Sequence, residues 1–410
     1  MDNYIWIFGG GQLQKPAVLE AKLLGYKTIV TDKNLKCVCN KISDKFFPVD
    51  IFDIKENLKL AKKLKKKLNI NAIFLCGIDC TVTAASVSKI LNLNYPILSQ
   101  AKITHNKFLF RKFQKRKKFF YPNFIKVELS DLKKKKLIKI YNNLSLPLII
   151  KNVDSSASRG TFIFKEKPSF NVFKESVTEA IKSSKSKCGY CIIEDYFEGT
   201  EHTVETIYQN SKQFKCFITD RYFDHSNGYA IERGLLSPSK LNQKYQNRIF
   251  KLVDTYAKNL KIINGPLKAD ILLTSKGPMV IEMTVRLSGG YDCQYLVPSA
   301  SGKNIIRAAL QSLLNIKVEK YLLKDHKKKF SLSGSIWPKQ GIIDKIKISD
   351  QIKKFKDYDH IFFTKGVGDK VRNYTNCAER VCFIICSSNS FASVKKKFNK
   401  TIKNIKIKIK

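Results

Sequence analysis

The stretch Gly265–Asp292 constrains the fold more than any other part of the chain. Two apolar runs, Ala269–Leu273 and Met279–Ile281, flank a short polar segment that ends in Gly-Pro, and this pattern predicts a β-hairpin. Strands joined by such a turn pair antiparallel. Asp270 lies at the start of the first strand and Glu282 closes the second, so we expect the two carboxylates to face each other at the end of a sheet.

Further polar side chains share the face of Glu282. Thr284 lies two residues farther along the strand and Arg286 two more, so the alternation of side chains puts all three on one face. Two carboxylates and a hydroxyl suit a hard cation such as Mg²⁺, and an arginine beside them suits an anion that forms during a reaction. The alternative is an ordinary hairpin with a surface salt bridge.

Length and charge limit the class of protein. A chain of 410 residues is too long for one compact core, so we expect two or three domains. The net charge of +42 would suit a nucleic-acid-binding protein. However, 66 of the 76 basic residues are lysines that recur over most of the chain. We interpret them as solvated helix faces and expect no nucleic-acid partner; the alternative predicts a contiguous basic face and salt-sensitive binding.

The N-terminal segment predicts a Rossmann-type unit. Strand Tyr4–Phe8 runs into the turn Gly9–Gly11, a helix follows, and a second strand ends at Asp32. Gln14 stands where a dinucleotide fingerprint has its third glycine, so the match to that fingerprint is poor. The glycines allow a tight turn or a close approach to a substrate or nucleotide. An oxidoreductase built on this unit is one alternative for the whole chain.

The cysteines and the N-terminus predict a cytoplasmic protein. The eleven cysteines form no even disulfide framework, and many lie in apolar runs, which indicates buried reduced thiols. The chain starts directly with a strand, without the basic and apolar regions of a signal peptide. No window of about 18 uncharged apolar residues occurs, so no membrane association is expected.

The middle of the chain carries a lysine, a small-residue loop and a cluster of acids. Strand Pro147–Lys151 is followed by the loop Asp154–Gly160, rich in serine, which exposes backbone N–H groups and hydroxyls. Such a loop can cover a triphosphate, although a plain hairpin loop is the alternative. Farther on, an apolar strand ends in a group of four acids: Glu194, Asp195, Glu198 and Glu201.

The order of these motifs resembles the ATP-grasp superfamily of ATP-dependent ligases, such as biotin carboxylase, carbamoyl phosphate synthase and D-alanine–D-alanine ligase. The resemblance covers most of the chain and implies an α/β and α+β architecture. We expect a Rossmann-like pre-ATP-grasp domain, an ATP-grasp domain with a lid, and a small C-terminal α+β region. The predicted ranges are 1–100, 101–322 (lid about 145–200) and 323–410.

The resemblance also implies how ATP is bound. The two lysines that hold its phosphates match Lys107 and Lys151, and the loop that covers them matches a segment including Ser156, Ser158 and Gly160. The residues matching the adenine and ribose contacts are Glu194, Asp195, Tyr196, Phe197 and Glu201. Arg221 is a further candidate for contact with phosphate or substrate.

The remaining site residues concern the metal and the chemistry. Asp270 and Glu282 match the ligands of Mg²⁺ (or Mn²⁺), whereas Thr284 stands where the family usually has asparagine. Arg286 matches the arginine that holds the acyl phosphate or its carboxylate, and together with Lys151 it is the predicted catalytic pair.

The resemblance implies a ligase that forms C–N bonds from a small-molecule carboxylate and an amine. The carboxylate would be activated by ATP as an acyl phosphate. The alternatives are a catalytically inactive nucleotide-binding module and the oxidoreductase named above. A homodimer stays open.

Overall fold

The computed structural model describes residues 2–133, 135–225, 228–354 and 358–410. The strands are β1 Asn3–Phe8, β2 Lys27–Thr31, β3 Lys45–Phe47, β4 Asn69–Phe74, β5 Phe124–Glu128, β6 Leu148–Asn152, β7 Thr161–Phe164, β8 Tyr190–Asp195, β9 Thr200–Gln209, β10 Lys212–Asp224, β11 Ile231–Ser237, β12 Gly265–Thr274, β13 Gly277–Thr284, β14 Phe330–Ile336, β15 Gly341–Ile348, β16 His360–Phe363, β17 Lys370–Val371, β18 Cys382–Ser388 and β19 Ile405–Ile409.

The α-helices of these parts of the chain alternate with the strands. They are α1 Lys15–Leu23, α2 Ile54–Lys65, α3 Thr81–Leu91, α4 Leu98–His105, α5 Lys107–Arg116, α6 Lys135–Asn142, α7 Phe170–Lys182, α8 Gln243–Leu260, α9 Val297–Ser301, α10 Ile305–Leu313, α11 Asp350–Lys354 and α12 Phe391–Lys403. None of those described is both long and apolar enough to cross a lipid bilayer.

The N-terminal strands form a parallel sheet in the order β3-β2-β1-β4. Strand β1 lies inside it and carries a run of apolar side chains that are fully buried: Ile5, Trp6, Ile7 and Phe8. A parallel sheet requires crossover connections, and α1 and α2 supply them. This is the Rossmann-like arrangement predicted from the first strand, turn and helix.

A second sheet of four strands, β5-β8-β6-β7, is antiparallel in all its pairs. Its apolar face packs against α6 and α7 around Val127, Ile150, Phe173 and Val177. We call this unit, from β5 to β8, the lid. The loop that follows β6 and leads into β7 contains the predicted phosphate-covering segment.

The central sheet has eight strands in the order β13-β12-β9-β10-β11-β14-β18-β16. The predicted hairpin, β12–β13, forms one edge, with Asp270 opposite Glu282 and a bulge directly after that pair. Strands β14, β18 and β16 continue the same sheet, so this sheet crosses the predicted boundary between residues 322 and 323. The domain boundaries remain a prediction, whereas the mixed α/β architecture is confirmed.

Candidate active site

A cleft between the lid and the central sheet consists of two adjoining cavities, of about 590 Å³ and about 410 Å³. Lys151, Glu201 and Arg221 line both. Lys151 comes from β6 of the lid, whereas Glu201 and Arg221 are paired neighbours on β9 and β10 of the central sheet. The two sheets therefore supply opposite walls of one continuous cleft.

The larger cavity has an apolar interior and a polar rim. The apolar wall includes Ile149, Leu272, Met279 and Ile281. The segment at the end of β8 lines its edge with the three predicted residues Asp195, Tyr196 and Phe197. A flat heterocycle could be sandwiched between these apolar side chains, with hydrogen bonds to the backbone at the rim.

Glu194 lines the same cavity, but its carboxylate is bound by two cations. Arg111 Nε lies 2.6 Å from Oε1, and Lys151 Nζ donates to Oε2 at 2.9 Å. Burial would raise the pKa of Glu194, but the two cations outweigh it and lower the pKa to about 2. The side chain of Glu194 therefore holds Lys151 in place, which leaves the backbone at the end of β8 to meet a ligand.

The two predicted phosphate lysines enter the smaller cavity from different elements. Lys107, at the start of α5, donates through Nζ to the Ser155 carbonyl at 3.1 Å and lies 3.6 Å from a carboxylate oxygen of Glu282. Lys151 lines the same cavity from strand β6 of the lid. Both lysines therefore line one cavity.

The loop between β6 and β7 covers this cavity. Ser156 and Ser158 line the cavity, and Ala157 and Ser158 adopt left-handed backbone angles, with φ of 61° and 57°. The tip of the loop touches the C-terminal part of the chain, where Cys377 N donates to the Ala157 carbonyl at 2.9 Å. Gly160 does not line the cavity: it packs against α7 instead, where a Cβ would lie 2.8 Å from that of Ser183.

The predicted metal carboxylates lie side by side in the smaller cavity. Asp270 is compensated by Lys268 at 2.5 Å and by Arg221 at 3.1 Å, and Thr203 donates to it at 3.1 Å. Burial raises the pKa of Asp270, but Arg221 and Lys268 outweigh this effect and lower it. Both Asp270 and Glu282 thus line the cavity with carboxyl oxygens, the donor set that Mg²⁺ prefers.

Thr284 contributes less to this site than predicted. It lies opposite Lys268 in the hairpin register, is buried, and does not line the cavity. Within the described residues there is no cluster of three or more acidic, histidine or cysteine side chains placed to hold a metal. A divalent cation would therefore take two protein carboxylates and complete its shell with ligand oxygens and water.

Arg286 reaches the cavity from the segment after β13 and is held by Asp79. Its Nε donates to Asp79 Oδ1 at 2.8 Å, and its Nη2 contacts the same oxygen. Burial disfavours the charged forms of Asp79 and Arg286. Their ion pair outweighs this effect, so it lowers the pKa of Asp79 and raises that of Arg286. The backbones touch closely nearby, since a Cβ on Gly77 would lie 3.2 Å from the Gly289 Cα. The predicted catalytic arginine is therefore fixed to the N-terminal sheet.

Arg221 is shared between three carboxylates: Glu232 at 2.7 Å, Asp270 at 3.1 Å and Glu201 at 3.5 Å. Burial raises the pKa of Glu201 to about 7, although Arg221 opposes the shift. Arg233, on the neighbouring strand β11, pairs with Asp224 and lines neither cavity.

The backbone N–H groups of Gly10 and Gly11 in the N-terminal turn have hydrogen-bond acceptors within the protein. Gly10 N donates to Asp32 Oδ2 at 2.8 Å, and Gly11 N donates to Gln14 Oε1 at 3.0 Å. Gln14 in turn donates to the Cys76 carbonyl at 2.6 Å. These N–H groups are the ones that would bind a dinucleotide pyrophosphate, so their internal partners disfavour the oxidoreductase alternative.

Several residues of the cleft were not predicted to have a role there: Asp79, Arg111, Thr203, Lys268, Asp292 and Cys377. One signal was available for Arg111, because arginine is rare in this lysine-rich chain. Lys268 lies two residues before Asp270 in β12, so the alternation of side chains puts both on one face. This alternation could have predicted a role for Lys268. Asp79 and Cys377 follow only from contacts between distant segments.

Comparison with known proteins agrees with this geometry. Residues 104–290 match the family model of the ATP-grasp domain. Dapdiamide A synthase from Enterobacter agglomerans is 26% identical over 180 residues, which are 41% of this chain and 39% of the synthase. Formate-dependent phosphoribosylglycinamide formyltransferase from Prochlorococcus marinus (strain MIT 9515) is 22% identical over 322 residues, or 78% of each chain. The match therefore spans well under half of the first relative and most of the second.

The fold extends beyond the matched domain. The crystal structure of an L-amino acid ligase from Bacillus licheniformis superposes with a TM-score of 0.82 at 18% identity, covering 100% of this chain and 99% of that one. At this level of identity the likeness establishes the fold. The predicted mixed α/β fold is thus confirmed, with an ATP-grasp domain at residues 104–290.

Proposed function

We propose that this member of the ATP-grasp superfamily is an ATP-dependent ligase that activates a small-molecule carboxylate and joins it to an amine. One observation carries the proposal: two lysines, two carboxylates and an arginine from separate parts of the chain line the same cavity, which is continuous with an apolar pocket. These residues are Lys107, Lys151, Asp270, Glu282 and Arg286. The names of the curated relatives, a synthase and a formyltransferase, support a group-transfer or ligation reaction.

The proposed reaction has two steps. A carboxylate oxygen attacks the γ-phosphorus of ATP, the bond to the bridging oxygen breaks, and ADP leaves with that electron pair. An amine then attacks the acyl carbon, phosphate leaves, and the amine nitrogen loses a proton to solvent. Both steps bring negatively charged groups together, so the main tasks of the protein are positioning and charge compensation.

The cations of the cleft fit these tasks. Lys107 and Lys151 would contact the phosphates from two sides, as point charges on flexible stems. Glu194 keeps Lys151 pointed into the cleft through its 2.9 Å contact. Arg286 would hold the substrate carboxylate and then the acyl phosphate, with Asp79 fixing the plane of its guanidinium.

Asp270 and Glu282 would hold Mg²⁺ or Mn²⁺ in this cleft. The bound ion would supply neutralisation of the phosphate charge. The apolar pocket beside Tyr196 would take the adenine, and Glu201 lies at the junction of the two cavities, where a ribose would lie. Thr284 would not bind the metal itself and would affect it only through its position beside Asp270 and Glu282.

A screen for ADP release tests the proposal. The purified protein is incubated with Mg-ATP and pools of carboxylic acids and amines, and ADP is measured by a coupled assay. We expect ADP release that needs Mg²⁺ and at least one carboxylate. If Mg-ATP binds, as a thermal shift would show, but no pool releases ADP, the protein is an inactive nucleotide-binding module and the proposal is wrong.

A further inference from the structure

The smaller cavity continues past the metal carboxylates to a polar end formed by the segment that follows β13. Asp292 lines this end together with Ser288, Gly289 and Gly290. Asp292 is the first residue of a short π-helical turn and is 1% exposed. Asp292 therefore borders the cavity from a position that bulk water hardly reaches.

The two oxygens of this carboxylate have different surroundings. Thr219 donates to Oδ2 at 3.0 Å. Oδ1 is buried and has no hydrogen-bond partner among the described residues. A buried carboxylate oxygen without a donor is unfavourable, so such an oxygen at the wall of a cavity indicates a donor supplied by a ligand.

Two further carboxylates act on Asp292. Glu205 and Glu232 raise its pKa in addition to burial, whereas Thr219 and Lys268 act in the opposite direction. Glu205 is fully buried, and its Oε1 also has no hydrogen-bond partner within the part of the chain that the structure describes. This end of the cavity is therefore suited to a cationic donor.

We propose that Asp292 binds the ammonium group of an amino-acid substrate whose carboxylate is held by Arg286. The inference rests on the proposed ligase function, because it specifies the acid that is activated. Arg286 and Asp292 line one cavity of about 410 Å³, and a guanidinium and a carboxyl group in so small a space complement a zwitterion. A simple carboxylic acid would pair with Arg286 but would leave Asp292 without a partner.

The test compares α-amino acids with the corresponding acids that lack the amino group, such as alanine with propionate, in the ADP-release assay. We expect the wild type to favour the amino acid by at least about 100-fold in kcat/KM. Asp292→Asn keeps the shape of the side chain but removes its charge, so the preference should fall at least about tenfold through the KM of the amino acid, with the KM of ATP unchanged.

Asp359→Asn is the matched control, because Asp359 also has a buried oxygen without a hydrogen-bond partner among the described residues and lines neither cavity of the cleft. It should behave like the wild type. Thermal shift by amino acids in the presence of Mg-ADP measures binding without turnover, and should be present in the wild type and lost in Asp292→Asn. Should Asp292→Asn not fold, the wild type alone decides: amino acids should release protons on binding, and propionate should not.

The outcomes separate the two proposals. ADP release with acids that lack an amino group, at rates equal to those of amino acids, would overturn the ammonium site but leave the ligase. Stimulation by K⁺ that Asp292→Asn abolishes, without any preference for amino acids, would assign the site to a metal cation and also overturn the inference. Absence of ADP with every acid, despite binding of Mg-ATP, would contradict the ligase itself.

Discussion

Arg286 and Asp79 form an ion pair between segments that are 207 positions apart in the chain. Asp79 lies in the connection after β4 of the N-terminal sheet, and Arg286 follows the hairpin of the central sheet. Beside this pair, Gly77 N donates to the Leu287 carbonyl at 3.1 Å. The orientation of the predicted catalytic arginine thus depends on a residue that follows the N-terminal sheet.

Replacement of Asp79 should therefore impair the use of the carboxylate substrate more than the binding of ATP. In Asp79→Asn we expect kcat/KM for the carboxylate to fall about 10- to 100-fold, because the guanidinium loses its fixed plane. The KM of ATP should change little. Asp2→Asn, which breaks an exposed ion pair with Lys27 in the same sheet, is the control and should retain full activity. An unchanged kcat/KM in Asp79→Asn would show that Arg286 needs no such partner.

Glu282→Gln tests the metal assignment. The substitution removes a charge without changing shape, so we expect ATP turnover to fall at least about 1,000-fold, with the folded state retained in thermal unfolding. Glu128→Gln, at an exposed pair with Lys126 in the lid, should leave turnover at the level of the wild type. Turnover near wild type in Glu282→Gln would mean that Glu282 is no metal ligand.

Gly160→Ala tests how the covering loop is anchored. Its φ is 58°, and an added Cβ would lie 2.8 Å from that of Ser183 and 3.0 Å from the Ala180 Cα. We expect a loss of about 2–4 kcal/mol in the free energy of unfolding, measured with urea, and a higher KM of ATP.

Gly189→Ala is the matched control for this substitution. Its φ is 76°, but nothing lies within 4 Å of an added Cβ. Only the backbone cost of about 1–2 kcal/mol should remain. Equal losses in the two variants would mean that contact with α7 does not anchor the loop.

Glu205 should make the protein less stable as the pH rises. Burial raises its pKa to about 7, from an ordinary value of 4.5, so the folded protein keeps a proton that the unfolded chain has lost. Between those values the free energy of unfolding should fall by up to about 3 kcal/mol. In Glu205→Gln this decline between pH 4.5 and 7 should be smaller by about that amount in urea titrations, while the share from Glu201, whose pKa is also raised to about 7, remains. Parallel pH profiles of the two proteins would contradict the assigned shift.

Local patterns in the sequence predicted the strands that carry the site residues better than they predicted the contacts of those residues. The alternation along β12 and β13 placed Asp270 opposite Glu282, and the structure has this register. The same pattern placed Thr284 on the metal face. It could not show that this side chain lies away from the cavity, because that depends on the neighbouring strands and the lid.

The contacts missed by the sequence are long-range. Arg111 reaches Glu194 across 83 positions, and Arg286 reaches Asp79 across 207. Periodicity and turn residues describe neighbours along the chain, whereas these pairs exist only because separate sheets pack together. The resemblance to a known superfamily grouped Lys107, Lys151 and Arg286 in one site, but it did not predict these two ion pairs.

The triple pairing of Arg221 has a thermodynamic consequence. A divalent cation at Asp270 would weaken one of the three ion pairs of Arg221, so the charge of its guanidinium would be less fully compensated. Nucleotide phosphates in the same cavity would restore that compensation, and their negative charge would in turn raise the affinity for the cation. Each ligand would thus raise the affinity of the other, and this mutual enhancement must be equal in both directions. Metal and nucleotide should therefore enter this cleft as cooperative ligands, each binding poorly without the other.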